Sequence, residues 1–238
     1  MRTIVWFIYF WIYLIALMPS LWKANRLERE GKLEERDALT AAVVRRWARS
    51  LLRVASVKVT LKGAEHLPKE AAVLVSNHQG NFDVPILLGY VGTPGALMAK
   101  KELLRMPIIS TWMHHLRCIF VDRENVRQAM KSLQQAAELV SGGHSIIIFP
   151  EGTRSKGDAI GEFKGGGFKI ATKAGAPIVP IRINGSYKVM EANTFGFLIR
   201  PAEVEVTILP PVETSTLTKE EANALPERVR DMIEHTII

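Results

Sequence analysis

The sequence predicts an α/β fold: a mixed, largely parallel sheet flanked by helices, with an N-terminal membrane-anchoring helical segment. Three observations lead to this prediction. From residue 57 onward, short apolar runs of strand length alternate with longer segments of helical periodicity. Two of the apolar runs end in polar motifs, as expected where ligands gather at the carboxyl ends of parallel strands. Before this alternation, residues 4–18 form one unbroken apolar run.

The N-terminal apolar run sets the chain apart from an ordinary soluble domain. A helix over residues 4–22 would be roughly 28 Å long at 1.5 Å per residue, close to the ~30 Å hydrocarbon core of a bilayer. A single membrane span fits this length. A half-inserted, monotopic anchor fits equally well, because Pro19 and the neighbouring Trp and Tyr residues suit a helix near the headgroups. A cleaved signal peptide fits poorly, since residues 18–22 offer no A-x-A-like site.

A basic amphipathic helix is expected after the anchor. Residues 41–53 place apolar side chains at helical spacing with arginines between them. This helix could pack one face on the domain or lie on an anionic leaflet, and we favour the leaflet because the anchor already brings it to a membrane. The surplus of Lys and Arg predicts the cytoplasmic face of a cell membrane, as in a bacterial inner membrane. We therefore divide the chain into residues 1–55, the anchor and basic helix, and residues 56–238, the α/β domain.

The predicted strands are short apolar runs or segments that alternate apolar and polar residues. They lie at residues 57–61, 71–75, 96–99, 118–121, 145–149, 177–183 and 204–209. The predicted helices lie at residues 84–90, 124–140, 168–173 and 219–233. Asp83 is expected to cap the first of these helices, and Gly142 with Gly143 to end the second.

Composition narrows the classes of function. A chain of 238 residues suits one globular domain plus an appendage. Its net charge of +7 favours anionic partners such as phospholipid surfaces or phosphorylated substrates. Nucleic acid is not expected, because no DNA- or RNA-binding signature accompanies the charge. Cys118 is the only cysteine, which excludes an intrachain disulfide, and within its apolar run it is predicted to be a buried hydrophobe.

Two polar motifs are predicted to build one site. Residues 77–83, NHQGNFD, place His78 and Asp83 five positions apart after an apolar strand. A histidine can take and give a proton near neutral pH, and an aspartate on its far ring nitrogen would let the near nitrogen act as a base. Residues 149–155, FPEGTRS, follow another strand. There Arg154 offers a planar fork for phosphate, and Glu151 could orient that arginine or accept a substrate hydroxyl.

Other catalytic and metal motifs are missing from the sequence. The glycine-rich run at residues 164–167 lacks the ending of a P-loop, so nucleotide hydrolysis is not supported. No Gly-x-Ser-x-Gly nucleophile elbow occurs. His114 and His115 have no further ligands at metal spacing, so we predict no metal site.

Four motifs in order make the chain resemble the glycerolipid acyltransferase family, particularly the lysophosphatidic acid (1-acyl-sn-glycerol-3-phosphate) acyltransferases. They are NHQGNFD at 77–83, IFVDR at 119–123, FPEGTRS at 149–155 and IVPI at 178–181. The likeness covers roughly residues 71–183. The family pattern often has a small hydroxyl residue where Gly80 stands in this chain.

The resemblance implies direct acyl transfer from an acyl thioester, carried by CoA or acyl carrier protein, to the sn-2 hydroxyl of 1-acyl-glycerol-3-phosphate. The product would be phosphatidic acid, formed without a covalent acyl-enzyme and without a cofactor. By similarity, His78 is the general base, Asp83 orients it, and Lys101 faces the thioester oxyanion, with the adjacent Lys100 as the alternative. The chain is thus expected to be a 1-acylglycerol-3-phosphate O-acyltransferase, acting on lysophosphatidic acid at a phospholipid membrane.

The resemblance also assigns residues to the phosphoglycerol end of the acceptor. They are Arg123, Glu151, Gly152, Thr153 and Arg154. Residues 178–181 would shape the acyl or acceptor pocket. Two alternatives stay open: acylation of glycerol-3-phosphate or another lysophospholipid, and a membrane-bound thioesterase in which His78 activates water.

Overall fold

A seven-stranded sheet lies at the centre of the computed structural model, which describes residues 1–91, 95–122, 124–193, 195 and 197–236. The strands are β1 (Val57–Lys62), β2 (Val73–Ser76), β3 (Ala96–Lys100), β4 (Ile119–Val121), β5 (Ile146–Ile148), β6 (Ile178–Asn184) and β7 (Ala202–Ile208). Their spatial order is β1-β7-β6-β2-β5-β3-β4. Neighbouring strands are parallel except for the antiparallel pair of β6 and β7. The predicted mixed, largely parallel sheet is confirmed.

Helices cover both faces of the sheet. They are α1 (Arg2–Ala16), α2 (Met18–Arg29), α3 (Leu33–Val54), α4 (Asp83–Tyr90), α5 (Pro107–His115), α6 (Val126–Ser141), α7 (Phe168–Ala174) and α8 (Lys219–Glu234). Side chains cap two of them. Asn125 accepts a hydrogen bond from the first turn of α6, and Thr218 forms a capping box with Glu221 at α8.

The core consists of two layers, one on each face of the sheet. β2 shows why, since all four of its residues are buried and successive side chains point to opposite faces. Leu74 joins the layer beneath α3 and α4. Val73 and Val75 join the layer beneath α6, α7 and α8. A strand covered on both faces reads as a continuous apolar run, and for that reason the central strands could be located from the sequence.

The N-terminal segment is a bent pair of helices. The single helix expected over residues 4–22 is wrong, because α1 ends at Ala16 and α2 begins at Met18, with a bend of 41° between them. Pro19 lies in the first turn of α2 and has no N–H to continue the hydrogen bonds of α1. Within the described residues, no single helix has the length and apolar composition to cross a membrane, while α1 and α2 meet both criteria as a pair.

The basic helix α3 packs on the domain. Val44, Ala48 and Leu51 are buried in the same layer as α4, and Arg49 Nε donates to the Gly89 carbonyl at 2.7 Å. Because these apolar residues are covered by protein, they do not face a leaflet. The expectation that this face lies on a membrane is therefore corrected, in favour of the alternative that it packs on the domain.

Candidate active site

The loop after β2 is fastened to the end of β6 by two buried amide side chains. Asn77 donates to the Ile183 carbonyl at 2.9 Å and accepts from the Ile183 N–H at 2.8 Å. Gln79 Oε1 accepts from the backbone N–H groups of Gly185 and Ser186, at 2.9 and 3.2 Å. His78 lies between these two anchors, so its backbone is held at the carboxyl edge of the sheet.

His78 and Asp83 are hydrogen-bonded, as their spacing predicts. His78 Nδ1 donates to Asp83 Oδ2 at 2.7 Å, and the fully buried Asp83 side chain also accepts from Gly80 N at 2.8 Å and from the Ser186 hydroxyl. The tautomer with its proton on Nδ1 leaves a lone pair on Nε2. The His78 side chain is 19% exposed, which leaves the ring accessible to a substrate.

Asp83 is the first residue of α4, whereas the sequence predicts it just before the helix, at the cap position. α4 begins at Asp83 itself, with Phe82 at the cap position and no side-chain cap. The predicted capping role of Asp83 is therefore wrong. Its carboxylate turns back to the loop and accepts a hydrogen bond from Gly80 N. A capping carboxylate would instead accept from an N–H in the first turn of the helix.

The second motif packs directly against the first. The Phe149 ring stacks on the His78 ring, with 4.1 Å between centroids and 21° between planes. Ser155 N donates to the His78 carbonyl at 2.8 Å. The two loops therefore form one site, as their positions after neighbouring strands predict.

Glu151 links the two loops through hydrogen bonds to backbone groups. It is buried, Oε1 accepts from His78 N at 2.7 Å, and Oε2 accepts from Gly161 N at 2.9 Å. Burial raises the pKa of this carboxyl above its ordinary value. Both oxygens are thus occupied by backbone groups, and Glu151 does not reach Arg154 or the cavity wall in this structure.

Arg154 contacts both Asn81 and Glu191, and the sequence did not point to Glu191 as a site residue. Arg154 Nη1 donates to Asn81 Oδ1 and lies 3.8 Å from Glu191 Oε1. Glu191 belongs to no recognised motif, and neither does Ser186, which supports Asp83. Glu191 also accepts from Asn81 N, 110 positions earlier, and Ser186 donates to Asp83, 103 positions earlier. No local pattern could have identified these two hydrogen bonds.

The adjacent lysines are placed differently. Lys101 Nζ is paired with Asp122 Oδ2 at 2.7 Å, and this hydrogen bond raises the pKa of Lys101. Its side chain is 43% exposed. Lys100, the alternative in the sequence analysis, lines the cavity that also contains His78. Arg123 lies outside the described residues.

A cavity of about 790 Å³ opens beside His78. Its polar lining includes His78, Asn81, Lys100, Gly152, Thr153, Arg154 and Lys164, and its apolar lining includes Leu14, Leu17, Val43, Trp47, Trp112, Met113 and Phe149. The apolar side chains come from α1, its junction with α2, α3 and α5 as well as from the sheet. Residues from both parts of the predicted division, 1–55 and 56–238, therefore build one cavity.

A metal-like grouping occurs away from these residues. Among the described residues, Asp231, Glu234 and His235 bring possible ligand atoms within 4.8 Å of one another at the exposed end of α8. Arg230 forms ion pairs with both carboxylates of this group. None of the three residues lines the cavity.

The chain is similar to known acyltransferases over the residues that build this site. The family model for acyltransferases matches residues 58–184. Over 146 residues the chain is 36% identical to a probable 1-acyl-sn-glycerol-3-phosphate acyltransferase of Mycoplasma pneumoniae, covering 60% of this chain and 55% of that protein. Over 189 residues it is 31% identical to the 1-acyl-sn-glycerol-3-phosphate acyltransferase of Borreliella burgdorferi, covering 76% and 72%. The chain spans about half the length of several curated relatives that it matches.

The similarity extends to three dimensions. The crystal structure of the 1-acyl-sn-glycerophosphate (LPA) acyltransferase PlsC from Thermotoga maritima superimposes with a TM-score of 0.78 at 25% identity. The superposition covers 98% of this chain and 95% of that one. It therefore includes the bent N-terminal helices as well as the sheet and the two loops.

Proposed function

The chain belongs to the acyltransferase family, and from this we propose that it transfers an acyl chain from a thioester donor to the sn-2 hydroxyl of 1-acyl-glycerol-3-phosphate, forming phosphatidic acid. The observation that carries the proposal is His78, hydrogen-bonded to the buried Asp83, on the wall of a largely apolar cavity that Arg154 also lines. The relatives named above support the choice of acceptor.

His78 is the general base of the proposed reaction. Its Nε2 takes the proton of the acceptor hydroxyl as the hydroxyl oxygen attacks the thioester carbonyl carbon, forming the new C–O bond. The C–S bond then breaks, and the imidazolium returns the proton to the leaving thiolate. A positioned base of this kind contributes about 10²–10⁴-fold to the rate, and the buried Asp83 stabilises the imidazolium.

The thioester needs no further activation by the protein, and the proposal includes no cofactor. A cation at the carbonyl oxygen would stabilise the developing oxyanion, an effect worth roughly 3 kcal/mol. Lys101 is the predicted residue, and Lys100 is the one on the cavity wall. The donor is CoA or acyl carrier protein, and both carry the acyl group as the same thioester.

The phosphate of the acceptor is proposed to bind at the basic part of the cavity. Arg154 and Lys164 both line it, and a guanidinium matches two phosphate oxygens. Gly152 and Thr153 lie beside them, and Arg123 completes the predicted set. Glu151 is proposed to hold the loops in place, because its oxygens bind His78 N and Gly161 N.

The apolar part of the cavity suits acyl chains. The whole cavity, of about 790 Å³, falls within the ~300–1,000 Å³ range of small-molecule sites. Leu14, Leu17 and Trp47 from α1, its junction with α2, and α3 form part of this wall. A substrate that enters between them would leave its headgroup at Arg154 and its chain among apolar side chains.

We propose that the outer side of α1 contacts the membrane from which the acceptor comes. Trp6 and Leu14 pack on the domain. The other side of the bent pair exposes large apolar residues, namely Ile4, Val5, Phe7, Ile8, Trp11, Ile12, Ile15 and Trp22. A helix with one apolar side on protein and the other side exposed favours a half-inserted anchor. The basic residues beyond it favour the cytoplasmic face.

The test is an acyl-transfer assay with purified protein in detergent. Labelled oleoyl thioester, on CoA or on acyl carrier protein, is offered with lysophosphatidate, glycerol-3-phosphate or lysophosphatidylcholine, beside a folded His78→Ala control. We expect labelled phosphatidate from lysophosphatidate, and its loss in the control. Acylation of another acceptor alone would correct the substrate, and equal activity in the control would remove His78 as the base.

The same assay separates transfer from hydrolysis. A thioesterase would release free fatty acid without any acylated lipid, because water would replace the acceptor hydroxyl at His78. Quantifying free oleate with and without lysophosphatidate distinguishes the two reactions. Release of oleate that does not depend on the acceptor, with no phosphatidate formed, would favour hydrolysis.

A further inference from the structure

Glu191 places a buried carboxylate directly behind the candidate phosphate site. It follows the 3₁₀ turn Ser186–Val189 after β6, and its side chain is 4% exposed. Oε1 accepts from Asn81 N at 2.7 Å and lies 3.8 Å from Arg154 Nη1. Arg154 Nη1 also donates to Asn81 Oδ1. Glu191, Asn81 and Arg154 therefore each contact the other two.

The carboxylate uses space that Gly80 leaves open. A Cβ atom at position 80 would lie 2.4 Å from Glu191 Oε2 and 3.1 Å from Oε1, and the first of these distances is shorter than real Cβ contacts allow. Gly80 does not have a positive φ, so its backbone would accept a side chain, but the Glu191 carboxylate would have to move to make room for one.

The position of Glu191 indicates support of Arg154 and not direct contact with a ligand. Asn81 and Arg154 line the cavity, whereas Glu191 lies behind them. Within the described residues Glu191 Oε2 has no hydrogen-bond partner. Burial of a carboxylate is costly unless nearby groups compensate for the lost hydration, and burial raises the pKa of this carboxyl. Arg154 is the cation placed to compensate it.

The effect on Arg154 follows from the geometry of a guanidinium. Contacts to Asn81 and Glu191 both involve Nη1. Holding Nη1 restricts the orientation of the group, and its Nε–Nη2 edge is one of those that can bind two phosphate oxygens at once. An arginine held in this way loses less side-chain entropy when a phosphate binds.

We propose that Glu191 is a positioning residue for the acceptor phosphate: it holds Arg154 and the Asn81 loop in their binding orientation, in space provided by Gly80. This inference rests on the proposed function, in which Arg154 binds the phosphate of the acceptor. It adds a residue and a coupled pair of positions, 80 and 191, to that site.

The first test compares Glu191→Ala and Glu191→Gln with wild type in the phosphatidate assay. We expect Glu191→Ala to raise the KM for lysophosphatidate about tenfold, the size of one charge-assisted hydrogen bond, with kcat and the donor KM changed less than about twofold. Glu191→Gln keeps an oxygen for Asn81 N and should lie between. Glu203→Ala is the matched control, because Glu203 is 80% exposed and paired with Lys58.

The second test measures coupling between positions 80 and 191. Gly80→Ala should displace the Glu191 carboxylate and raise the acceptor KM by a similar factor. In a Glu191→Ala background the added methyl group has room, so the double variant should be no worse than Glu191→Ala alone. Multiplicative effects of the two substitutions would contradict the shared space.

Failure of the inference can be told from failure of the proposed function. If wild type forms no phosphatidate, the proposed function is wrong. If wild type is active and folded Glu191→Ala has an unchanged acceptor KM, Glu191 does not position the phosphate site. A fall in Tm, together with a lower kcat and equal increases in the acceptor and donor KM values, would indicate a merely structural role. That result would also overturn the inference.

Discussion

Asp83 is held from three sides. Gly80 N and His78 Nδ1 donate to Oδ2, and the Ser186 hydroxyl donates to Oδ1. Because the carboxylate is fully buried, these donors set its orientation, and it in turn selects the histidine tautomer whose Nε2 carries the lone pair. Asp83 does not line the cavity. Its influence on substrate must therefore act through His78.

Replacing this carboxylate by an amide should affect kcat and leave binding almost unchanged. In Asp83→Asn the side chain keeps its shape but can donate to Nδ1, which favours the wrong tautomer. We expect kcat to fall by about 10³–10⁴-fold, with both KM values within a few-fold of wild type. Steady-state kinetics on protein with an unchanged circular dichroism spectrum measures this. A loss smaller than tenfold would contradict the assigned role.

The two adjacent lysines can be separated by single substitutions. Lys100 lines the cavity, whereas Lys101 is paired with Asp122 at 2.7 Å. If the oxyanion is stabilised from the cavity wall, Lys100→Ala should lower kcat about 100-fold, as expected for loss of one donor, and Lys101→Ala should lower it less than tenfold. The reverse order would support the assignment made from the resemblance, and Lys100→Arg would show whether charge alone suffices.

Cys118 should be inert in the native protein. It is buried and accepts a weak hydrogen bond from Leu97 N, and burial raises the pKa of its thiol to about 12. Because the thiolate is the reactive form, we expect Ellman's reagent at pH 8 to label the folded chain far more slowly than the chain unfolded in guanidinium. Rapid labelling of folded protein would show that Cys118 is accessible.

Sequence motifs identified the parts of the site that lie next to one another in the chain. His78 and Asp83 are five positions apart, and Arg154 belongs to a compact motif. Ser186 and Glu191 reach the same site only because β6 ends beside β2. Each is an ordinary polar residue in a turn, and its hydrogen-bond partner in the loop after β2 lies more than a hundred positions earlier. No pattern within a short window contains that information.

Helix α1 shows a limit of periodicity as a guide to packing. It is apolar all round, so its sequence does not indicate which side meets the protein. The structure assigns Trp6 and Leu14 to the core, while Trp11 is 48% exposed. Trp6 also donates to the Leu51 carbonyl at 3.0 Å and packs beside Phe82 of the loop after β2. One helix thus has two apolar sides, of which one is covered by protein and the other is exposed.

Two tryptophans of α1 provide a matched pair of substitutions. We expect Trp6→Ala to lower the free energy of unfolding by about 3–5 kcal/mol, through loss of a buried aromatic side chain. Trp11→Ala should change it by less than about 0.5 kcal/mol but weaken binding to phospholipid vesicles. Thermal unfolding in detergent and vesicle sedimentation measure the two effects. Equal destabilisation by both variants would mean that the two sides of α1 are equivalent.

Helix α5 is the element that the sequence analysis missed. Pro107 at its first turn is a recognised start signal, but Ile108, Ile109 and Thr111 are β-branched and equally compatible with a strand. Over the nine residues of this segment, these side chains do not distinguish a helix from a strand. The central strands β2, β5 and β6 were easier to predict, because each is a short, largely buried run rich in Val and Ile.

The molecule is less divided than its sequence suggests. The division at residue 55 follows composition, yet Ala48, Leu51 and Leu52 of α3 belong to the same core layer as Leu74 and Val179 of the sheet. Leu14 and Leu17 line the same cavity as His78. The N-terminal helices therefore contribute to both the core and the candidate site.

Residues 56–238 should not fold into an active protein alone. Removal of α3 would expose the face of α4 and the sheet that Leu51 and Leu52 cover, and removal of α1 would open the cavity. We expect this fragment to be aggregated or inactive in the phosphatidate assay, in contrast to the full chain prepared in the same detergent. A monomeric fragment with wild-type kcat would show that the two parts are independent domains.

The edge strand β1 has β7 as its neighbour in the sheet, and paired residues such as Lys58 and Glu203 are 145 positions apart. At about 5–20 residues per second, a ribosome needs roughly 7 to 30 s to make the chain between them. During that time α1, α2 and α3 are already synthesised, but β7, the strand that pairs with β1, is not yet made. The apolar N-terminus is therefore free to meet a bilayer or a chaperone before the rest of the protein can fold around it.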